Sequence, residues 1–226
     1  MTSGVKLKDR DTHVFIDASN IRSACLKSCN FNIDFTKLYT YLNNKYPNLK
    51  EVGYYEGIAR NDGKKQLIFD QLDRTGYSVR ALRRRTYTNP AVMKNFKCRH
   101  CGERNRIEVL HQEIVMKSNV DVFLTAEMLK VAYESTTPTH IVIFTCDGDY
   151  AEAIRVAVRN ENVVVTVVGT PFIQELEKNA LSVRLRELRR ELPEQYHLNN
   201  IEDIKDSVRV DEETGAVNIG EEVTPQ

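Results

Sequence analysis

Short apolar runs alternate along the chain with segments whose apolar residues recur at helical spacing. The runs are typical of buried parallel strands, and the segments between them are typical of helices. Strands are predicted at residues 13–17, 51–58, 77–82, 139–145 and 162–169, and helices at 33–46, 62–75, 120–133 and 149–159. Strands and helices that alternate every ~25–35 residues indicate βαβ units. The chain is therefore predicted to be an α/β protein with a mainly parallel central sheet of about five strands, flanked by helices.

Three stretches depart from this alternation. Residues 84–107 are basic, contain Pro90 and two cysteines, and are interpreted as an inserted loop or small hairpin. Residues 182–188 are compatible with a strand or a helix. We assign residues 1–11 to an N-terminal tail, 12–192 to the main domain and 193–226 to an acidic extension. Large apolar residues are scarce beyond about Asp211, so part of that extension is expected to be disordered.

The composition is that of a soluble globular chain, with 41% hydrophobic and 28% charged residues. No apolar run approaches the ~18 residues that a membrane span needs. Residues 1–11 are too polar for a signal peptide, which makes the cytoplasm the expected location. The five cysteines have no disulfide-framework spacing and are expected to be thiols there.

Charge is unevenly distributed although the chain is neutral overall. Residues 79–106 hold nine Lys or Arg and one Glu, whereas residues 201–226 hold eight Asp or Glu and two Lys or Arg. A basic belt of this kind indicates an anionic partner such as nucleic acid. The charge alone is explained equally well by a solvent-exposed basic surface whose charge is offset by the acidic residues 201–226.

Two groups of carboxylates follow predicted strands. Asp17 ends the first strand, within Asp-Ala-Ser-Asn, and Asp147 and Asp149 follow the fourth strand, within Thr-Cys-Asp-Gly-Asp-Tyr. Ligands of parallel α/β sheets bind beyond the carboxyl ends of the strands. If the two strands are neighbours, the three acids converge, and Mg²⁺ or Mn²⁺ would offset their repulsion. Such an ion can bind a phosphodiester oxygen and activate water for hydrolysis.

Each group also has an ordinary structural interpretation. Asp-Gly is a frequent turn pair, and Asp149 could cap the next helix. Asp17 is the stronger indication, because a carboxylate at the end of a buried strand needs a partner. Ser19 and Asn20 are placed to orient substrate or water.

Three segments resemble motifs of the NYN domain family, the LabA-like branch of the PIN-like nucleases. They are Val-Phe-Ile-Asp-Ala-Ser-Asn at 14–20, Lys-Ser-Asn-Val-Asp-Val-Phe-Leu-Thr-Ala-Glu-Met-Leu at 117–129, and Ile-Phe-Thr-Cys-Asp-Gly-Asp-Tyr at 143–150. Their order and spacing match the family over roughly residues 12–169. The resemblance implies a PIN-like three-layer fold and hydrolysis of RNA, with endonucleolytic and exonucleolytic cleavage both open.

The resemblance also implies roles for individual residues. Asp17 is expected to be a metal ligand and Asn20 its orienting neighbour, with Asp147 and Asp149 as the closing pair. Asp121 is the carboxylate of the middle motif, and Lys117 matches a lysine near the substrate phosphates. Glu127 stands where the family usually has Asp. It is expected to bind the Mg²⁺ or Mn²⁺ more directly than Asp121, since residues six apart do not share one helical face.

The basic insertion offers two further predictions. Arg83, Arg84 and Arg85 leave the third strand at the edge of the site, where they could track an RNA backbone while Tyr87 or Phe96 stacks on bases. Cys98 and Cys101 resemble one knuckle of a zinc ribbon, but a structural Zn²⁺ needs four ligands. His100 or His111 could complete the set, two chains could share one ion as a homodimer, or the thiols could stay metal-free.

A metal-dependent ribonuclease is the function that these observations favour. An RNA-binding or regulatory module with weak or no catalysis is the alternative, because Glu127 departs from the family pattern. A haloacid-dehalogenase-type phosphatase is disfavoured, because it requires a second Asp where this chain has Ser19. Nucleotide-binding glycine motifs are absent from the sequence.

Overall fold

Six parallel strands form the central sheet of this computed structural model, which describes residues 5–110, 113–171 and 181–211. The sheet order is β10-β9-β8-β1-β2-β3, and every neighbouring pair is parallel. Its strands are β1 (Asp11–Asp17), β2 (Leu49–Ile58), β3 (Ser78–Arg83), β8 (Thr139–Phe144), β9 (Val163–Gly169) and β10 (Tyr196–Asn200). The predicted α/β class and mainly parallel sheet are confirmed, and β10 is added to the five strands predicted.

Helices cover both faces of the sheet and make a three-layer fold. One face packs against α1 (Ala18–Cys29), α2 (Phe35–Lys45), α3 (Gly63–Thr75) and α7 (Lys205–Val208). The other face packs against α4 (Val120–Glu134), α5 (Ala151–Ala157) and α6 (Val183–Glu191). Because both faces are covered, every residue of β8 and β9 is buried. Short 3-10 turns lie at Leu7–Asp9, Gly148–Tyr150 and Ile201–Ile204.

Local signals explain where the helices begin and end. The Asp34 carboxylate accepts hydrogen bonds from two backbone amides and caps the start of α2. The Asp62 carboxylate caps α3 by accepting a hydrogen bond from the Lys65 amide. Gly76 ends α3 with a left-handed φ of 116°. A side chain at that glycine would also collide with the Tyr39 ring.

The basic insertion is a long antiparallel hairpin, here called the arm (residues 85–117). Its base is β4 (Arg85–Asn89) paired with β7 (Glu113–Lys117), and its outer part is β5 (Val92–Lys97) paired with β6 (Arg104–Leu110). The predicted insertion at 84–107 is therefore too short at its carboxyl end. Residues 108 and 109 are exposed, so the sequence has no buried face there that would reveal the strand.

Helix α1, helix α7 and strand β10 were not predicted from the sequence. Helix α1 follows Asp17 directly, and Ile21 and Leu26 are its large aliphatic residues, so its helical pattern is faint. β10 lies in the segment assigned to an acidic extension, and it joins the sheet beside β9. The fold thus continues to about residue 211, and residues 212–226, where disorder was expected, lie outside the described residues. Residues 182–188, left open between strand and helix, belong to α6.

No helix in the described parts of the chain is long and apolar enough to cross a membrane.

Candidate active site

Asp17 lies at the carboxyl end of β1 and is 7% exposed. Its Oδ1 accepts hydrogen bonds from the Asn20 backbone amide at 3.2 Å and from the Ser19 hydroxyl at 3.4 Å. Its Oδ2 accepts from the Tyr150 hydroxyl at 3.1 Å. The residue therefore ends the strand, caps α1 and presents a buried carboxylate at the edge of the sheet.

Asn20 joins the first motif to the third. Its Oδ1 accepts a hydrogen bond from the Cys146 backbone amide at 2.8 Å and another from the Thr145 hydroxyl at 3.4 Å. β1 and β8 are neighbours, so the loops that follow them lie side by side. The side chain that the sequence suggested as an orienting group thus fixes the position of the loop that carries Asp147.

The loop after β8 presents Asp147 and Asp149 by means of a tight turn. The Asp147 side chain accepts from the Asp149 amide at 2.9 Å, so it caps the turn as an ordinary Asp-Gly pair would. A side chain at Gly148 would collide with the Ser182 hydroxyl, so glycine allows the turn to approach α6. The exposed Asp149 carboxylate lies 3.5 Å from the Arg184 guanidinium.

Electrostatics link these acids. Burial raises the pKa of Asp17 to about 6, and the Asp147 charge adds to that rise, while the three hydrogen bonds oppose it. Burial and the negative charge of Asp17 also raise the pKa of the Tyr150 hydroxyl, and Asp121 contributes. Asp17, Asp121 and Asp147 therefore act on a common region beside Tyr150.

The two carboxylates of the middle motif lie in different surroundings. Asp121 is exposed in the first turn of α4, which packs against the Gly148–Tyr150 turn. Glu127 lies nearly two turns further along the helix, where it accepts a hydrogen bond from the Tyr55 hydroxyl and pairs with Arg80 at 3.2 Å. The structure therefore brings Asp121 to the other acids and does not bring Glu127 there. The expectation that Glu127 is the more direct ligand is not supported by this geometry, since its charge is already partnered.

The donor set suits a hard divalent cation bound with water. Within residues 5–110, 113–171 and 181–211, no three His, Cys, Asp or Glu side chains are placed to enclose a metal ion by themselves. Mg²⁺, however, commonly binds through one or two carboxylates and retains several waters. Asp17 and Asp147 are the residues that could supply such a pair, since the Asp147 charge acts on Asp17 and adds to its raised pKa.

The predicted substrate-binding residues gather beside this edge, at the base of the arm. Arg83 ends β3 opposite Ile58, and the Arg84 amide donates to the Ile58 carbonyl at 2.8 Å. Lys117 pairs with Arg85 across the first rung of the arm. A side chain at Gly57 would collide with the Ser118 hydroxyl and approach the Arg84 side chain, so the two ends of the arm converge over the end of β2.

A buried charge network beside the edge was missed by sequence reasoning. The Glu56 carboxylate is 1% exposed, binds both ends of the Arg22 guanidinium at 2.9 and 3.0 Å, and pairs with Lys65 at 2.6 Å. The Tyr54 hydroxyl also donates to it. Burial alone would raise the pKa of Glu56, but Arg22 and Lys65 lower it to about 2. A charged residue inside the otherwise apolar run of β2 was the available signal.

The cysteines divide into two kinds. Cys25, Cys29 and Cys146 are buried thiols, and Cys98 and Cys101 lie at the tip of the arm. Burial raises the pKa of Cys146, whose sulfur contacts Thr170. Cys25 and Cys29 are both buried in α1.

Comparison with known proteins decides the family. The NYN domain model matches residues 11–185, which include β1, β8 and the three motifs. The chain belongs to the NYN domain family. No curated protein matches this NYN chain significantly. Its fold is similar to the crystal structure of VPA0982, a protein of unknown function from Vibrio parahaemolyticus, with a TM-score of 0.52 and 16% identity. That alignment covers 91% of the NYN chain and 99% of the other chain, and it supports the fold alone.

Proposed function

We propose that this NYN protein is a metal-dependent ribonuclease that hydrolyses RNA phosphodiester bonds at the edge formed by β1 and β8. The observation that carries the proposal is the pair of hydrogen bonds joining the first and third motifs, from Tyr150 to Asp17 and from Cys146 to Asn20. These bonds hold two carboxylate-bearing loops together although the charges of Asp17 and Asp147 repel each other. An arrangement that maintains this repulsion favours a cation-binding role.

Asp17 and Asp147 are the proposed ligands of Mg²⁺ or Mn²⁺, with Asp121 and Asp149 at the rim. When bound, the ion would polarise the phosphodiester and lower the pKa of the attacking water. Ser19, Asn20 and Tyr150 hold the Asp17 carboxylate and the neighbouring loop in position. Arg184 lies close to Asp149, where it can neutralise that acid or a substrate phosphate.

Substrate would reach the acids along the base of the arm. Arg83, Arg84, Arg85 and Lys117 lie where β3 leaves the sheet and the arm begins, and such a run of cations is suited to a phosphate backbone. The exposed ring of Tyr87 lies on the same part of the arm and can stack on a base. RNA is the proposed partner for these reasons.

The test is Mn²⁺-dependent cleavage of single-stranded RNA by the wild type and by Asp147→Asn. Loss of the carboxylate is expected to lower the cleavage rate by about 100-fold or more, because one of the two proposed metal ligands is removed. Asp206→Asn is the matched control, since Asp206 is exposed in α7 and lies on another part of the fold. Undiminished cleavage by Asp147→Asn would remove this residue from the site.

One observation favours the alternative of an RNA-binding module with little catalysis. Glu127 is held by Tyr55 and Arg80, so only one acid of the middle motif lies at the edge. In that case the wild type would bind RNA but would not cleave it with Mg²⁺ or Mn²⁺. RNA binding measured by fluorescence anisotropy, together with no cleavage in the assay above, would therefore select the alternative.

A further inference from the structure

Two thiols share one tight turn at the tip of the arm. Cys98 follows β5, and its backbone amide donates to the Glu103 carbonyl at 2.8 Å. The Gly102 amide donates to the Cys98 carbonyl at 3.0 Å, and Gly102 has a φ of 76°, a conformation that favours glycine. The turn therefore brings Cys98 and Cys101 to the same end of the hairpin, where both are free thiols.

Backbone amides also converge on the first sulfur. The backbone amides of Cys101 and His100 donate hydrogen bonds to Cys98, as does the Cys101 thiol. Amide donors directed at a sulfur stabilise the thiolate, which is the form that binds soft metal ions. The hydrogen bonds of the Cys-x-x-Cys-Gly turn are therefore compatible with the zinc knuckle that the cysteine spacing suggests.

The tip supplies only half of a zinc site. Structural Zn²⁺ takes four ligands in a tetrahedron, and no third Cys, His, Asp or Glu completes a group with these thiols in the described parts of the chain. His100 lies within the turn itself, and His111 lies outside the described residues. A second copy of the same turn would supply the two missing thiolates and close the set by two-fold symmetry.

The surface of the arm is suited to such pairing. Strand register places Phe96 and Ile107 on one face, where they are 43% and 48% exposed. Lys97, Arg104 and Arg106 lie on the opposite face. Lys94 and Asn105 share the face of Phe96 and Ile107, so this face is mixed, with its apolar side chains exposed. A two-stranded hairpin is marginal by itself, so a partner that covers these apolar side chains would stabilise it. The basic residues near the tip would also offset the net negative charge of a four-thiolate zinc centre.

We propose that two copies of this chain share one Zn²⁺ between the tips of their arms, each copy contributing Cys98 and Cys101. Binding converts the four thiols to thiolates and releases their protons to solvent, so zinc affinity falls as pH falls. The zinc joins the arms, and the sheet edge that carries Asp17 and Asp147 stays accessible in each copy. The inference is independent of the proposed nuclease activity.

The test measures zinc content and molecular mass together on the full chain purified without chelator. The expected result is 0.5 equivalent of zinc per chain in a dimer. The double variant Cys98→Ser, Cys101→Ser is expected to contain no zinc and to be monomeric, with an unchanged far-ultraviolet circular dichroism spectrum. His100→Ala and His111→Ala are the controls and should retain zinc and dimer.

Several results would overturn the shared site. One equivalent of zinc in a monomer, lost in His111→Ala, would mean a site closed within one chain. A zinc-free protein, whether its tip thiols are reduced or joined as a disulfide, would exclude the metal. A dimer that persists in the double serine variant would show that zinc does not join the copies. Cobalt-substituted protein gives an independent readout, because a four-thiolate site predicts the visible absorption of tetrahedral cobalt thiolate.

Discussion

The Tyr150 hydroxyl donates a hydrogen bond to Asp17 Oδ2 at 3.1 Å, between residues 133 positions apart in the chain. Tyr150 ends the turn that carries Asp147 and Asp149, and Asp17 ends β1. Through this bond, Tyr150 of the third motif positions the carboxylate of Asp17 in the first motif. The proposed metal site depends on this hydrogen bond. The contributions of Tyr150 and Asp17 to the free energy of unfolding can be measured in the metal-free protein.

Tyr150→Phe is expected to destabilise the fold by about 1–3 kcal/mol, the usual contribution of a hydrogen bond to a charged group. The loss should be larger at pH 8 than at pH 5, because Asp17 is ionised only above its pKa of about 6. Urea unfolding in EDTA at the two pH values measures the effect. Tyr133→Phe is the control, since Tyr133 is 89% exposed. An equal loss of stability at pH 5 and pH 8 would mean that the Tyr150 hydroxyl does not stabilise the ionised form of Asp17.

Asp17→Asn is expected to stabilise the metal-free protein at pH 8. The pKa of Asp17 is raised from 3.8 to about 6 on folding, so the folded state holds this proton more tightly than the unfolded state. The free energy of unfolding therefore falls by about 2–3 kcal/mol as pH rises from about 4 to about 6, and it stays at this lower value at higher pH. Asn carries no charge and avoids this cost.

Urea unfolding of both proteins in EDTA between pH 4 and pH 8 tests the expectation for Asp17→Asn. The free energies of unfolding of the two proteins should become equal toward pH 4 and differ most at pH 8. Mn²⁺ should then stabilise the wild type more than the variant and narrow the difference. A variant that is less stable than the wild type at every pH would show that hydrogen bonds to Asp17 outweigh its desolvation.

Glu56→Gln is expected to cost roughly 2–4 kcal/mol, because it leaves the Arg22 and Lys65 charges without their buried partner. The pKa of Glu56 is lowered on folding to about 2. Its contribution is therefore complete above about pH 4.5 and is lost as pH falls through about 2. Denaturant unfolding at pH 7 and pH 3 measures both effects. Glu152→Gln, on an exposed ion pair with Arg155, should change little.

Replacing Arg83, Arg84 and Arg85 with Ala is expected to weaken RNA binding and flatten its salt dependence. Each lost phosphate contact on a single strand lowers the slope of log K against log salt by about 0.7, so three contacts account for about 2. Fluorescence anisotropy over a salt series measures the slope. An equal triple substitution at Arg74, Arg159 and Arg190, which are exposed near the starts of the following strands, is the charge-matched control. Equal slopes for both triples would exclude the arm base as the RNA track.

Sequence patterns were sufficient to predict the parallel sheet and most of the helices that cover it. The buried runs of β8 and β9 and the capping residues Asp34 and Asp62 are strong local signals. Helix α1 and β10 have weak patterns of their own, and they are stabilised by packing on the sheet that only the folded chain provides. The carboxyl end of the arm was misplaced for a different reason, since the exposed residues of β6 have no buried face that the sequence could show.

The candidate site was predicted as far as strand ends could be identified. Asp17 and Asp147 were found because a carboxylate directly after an apolar strand is conspicuous in sequence. The separate positions of Asp121 and Glu127 depend on Arg80 and Tyr55, which belong to other strands, and no local pattern indicates those pairings. The Glu56 network was missed for the same reason, since its partners are contributed by α1 and α3.

The position of manganese in soaked crystals tests the central claim most directly. Anomalous scattering is expected to show a Mn²⁺ ion between the Asp17 and Asp147 carboxylates, with Asp121 or Asp149 in its surroundings and Glu127 still paired with Arg80. Crystals of Asp17→Asn should lose that peak. Saturating manganese with no peak at this edge in the wild type, or a peak coordinated by Glu127 in place of Asp147, would contradict the account.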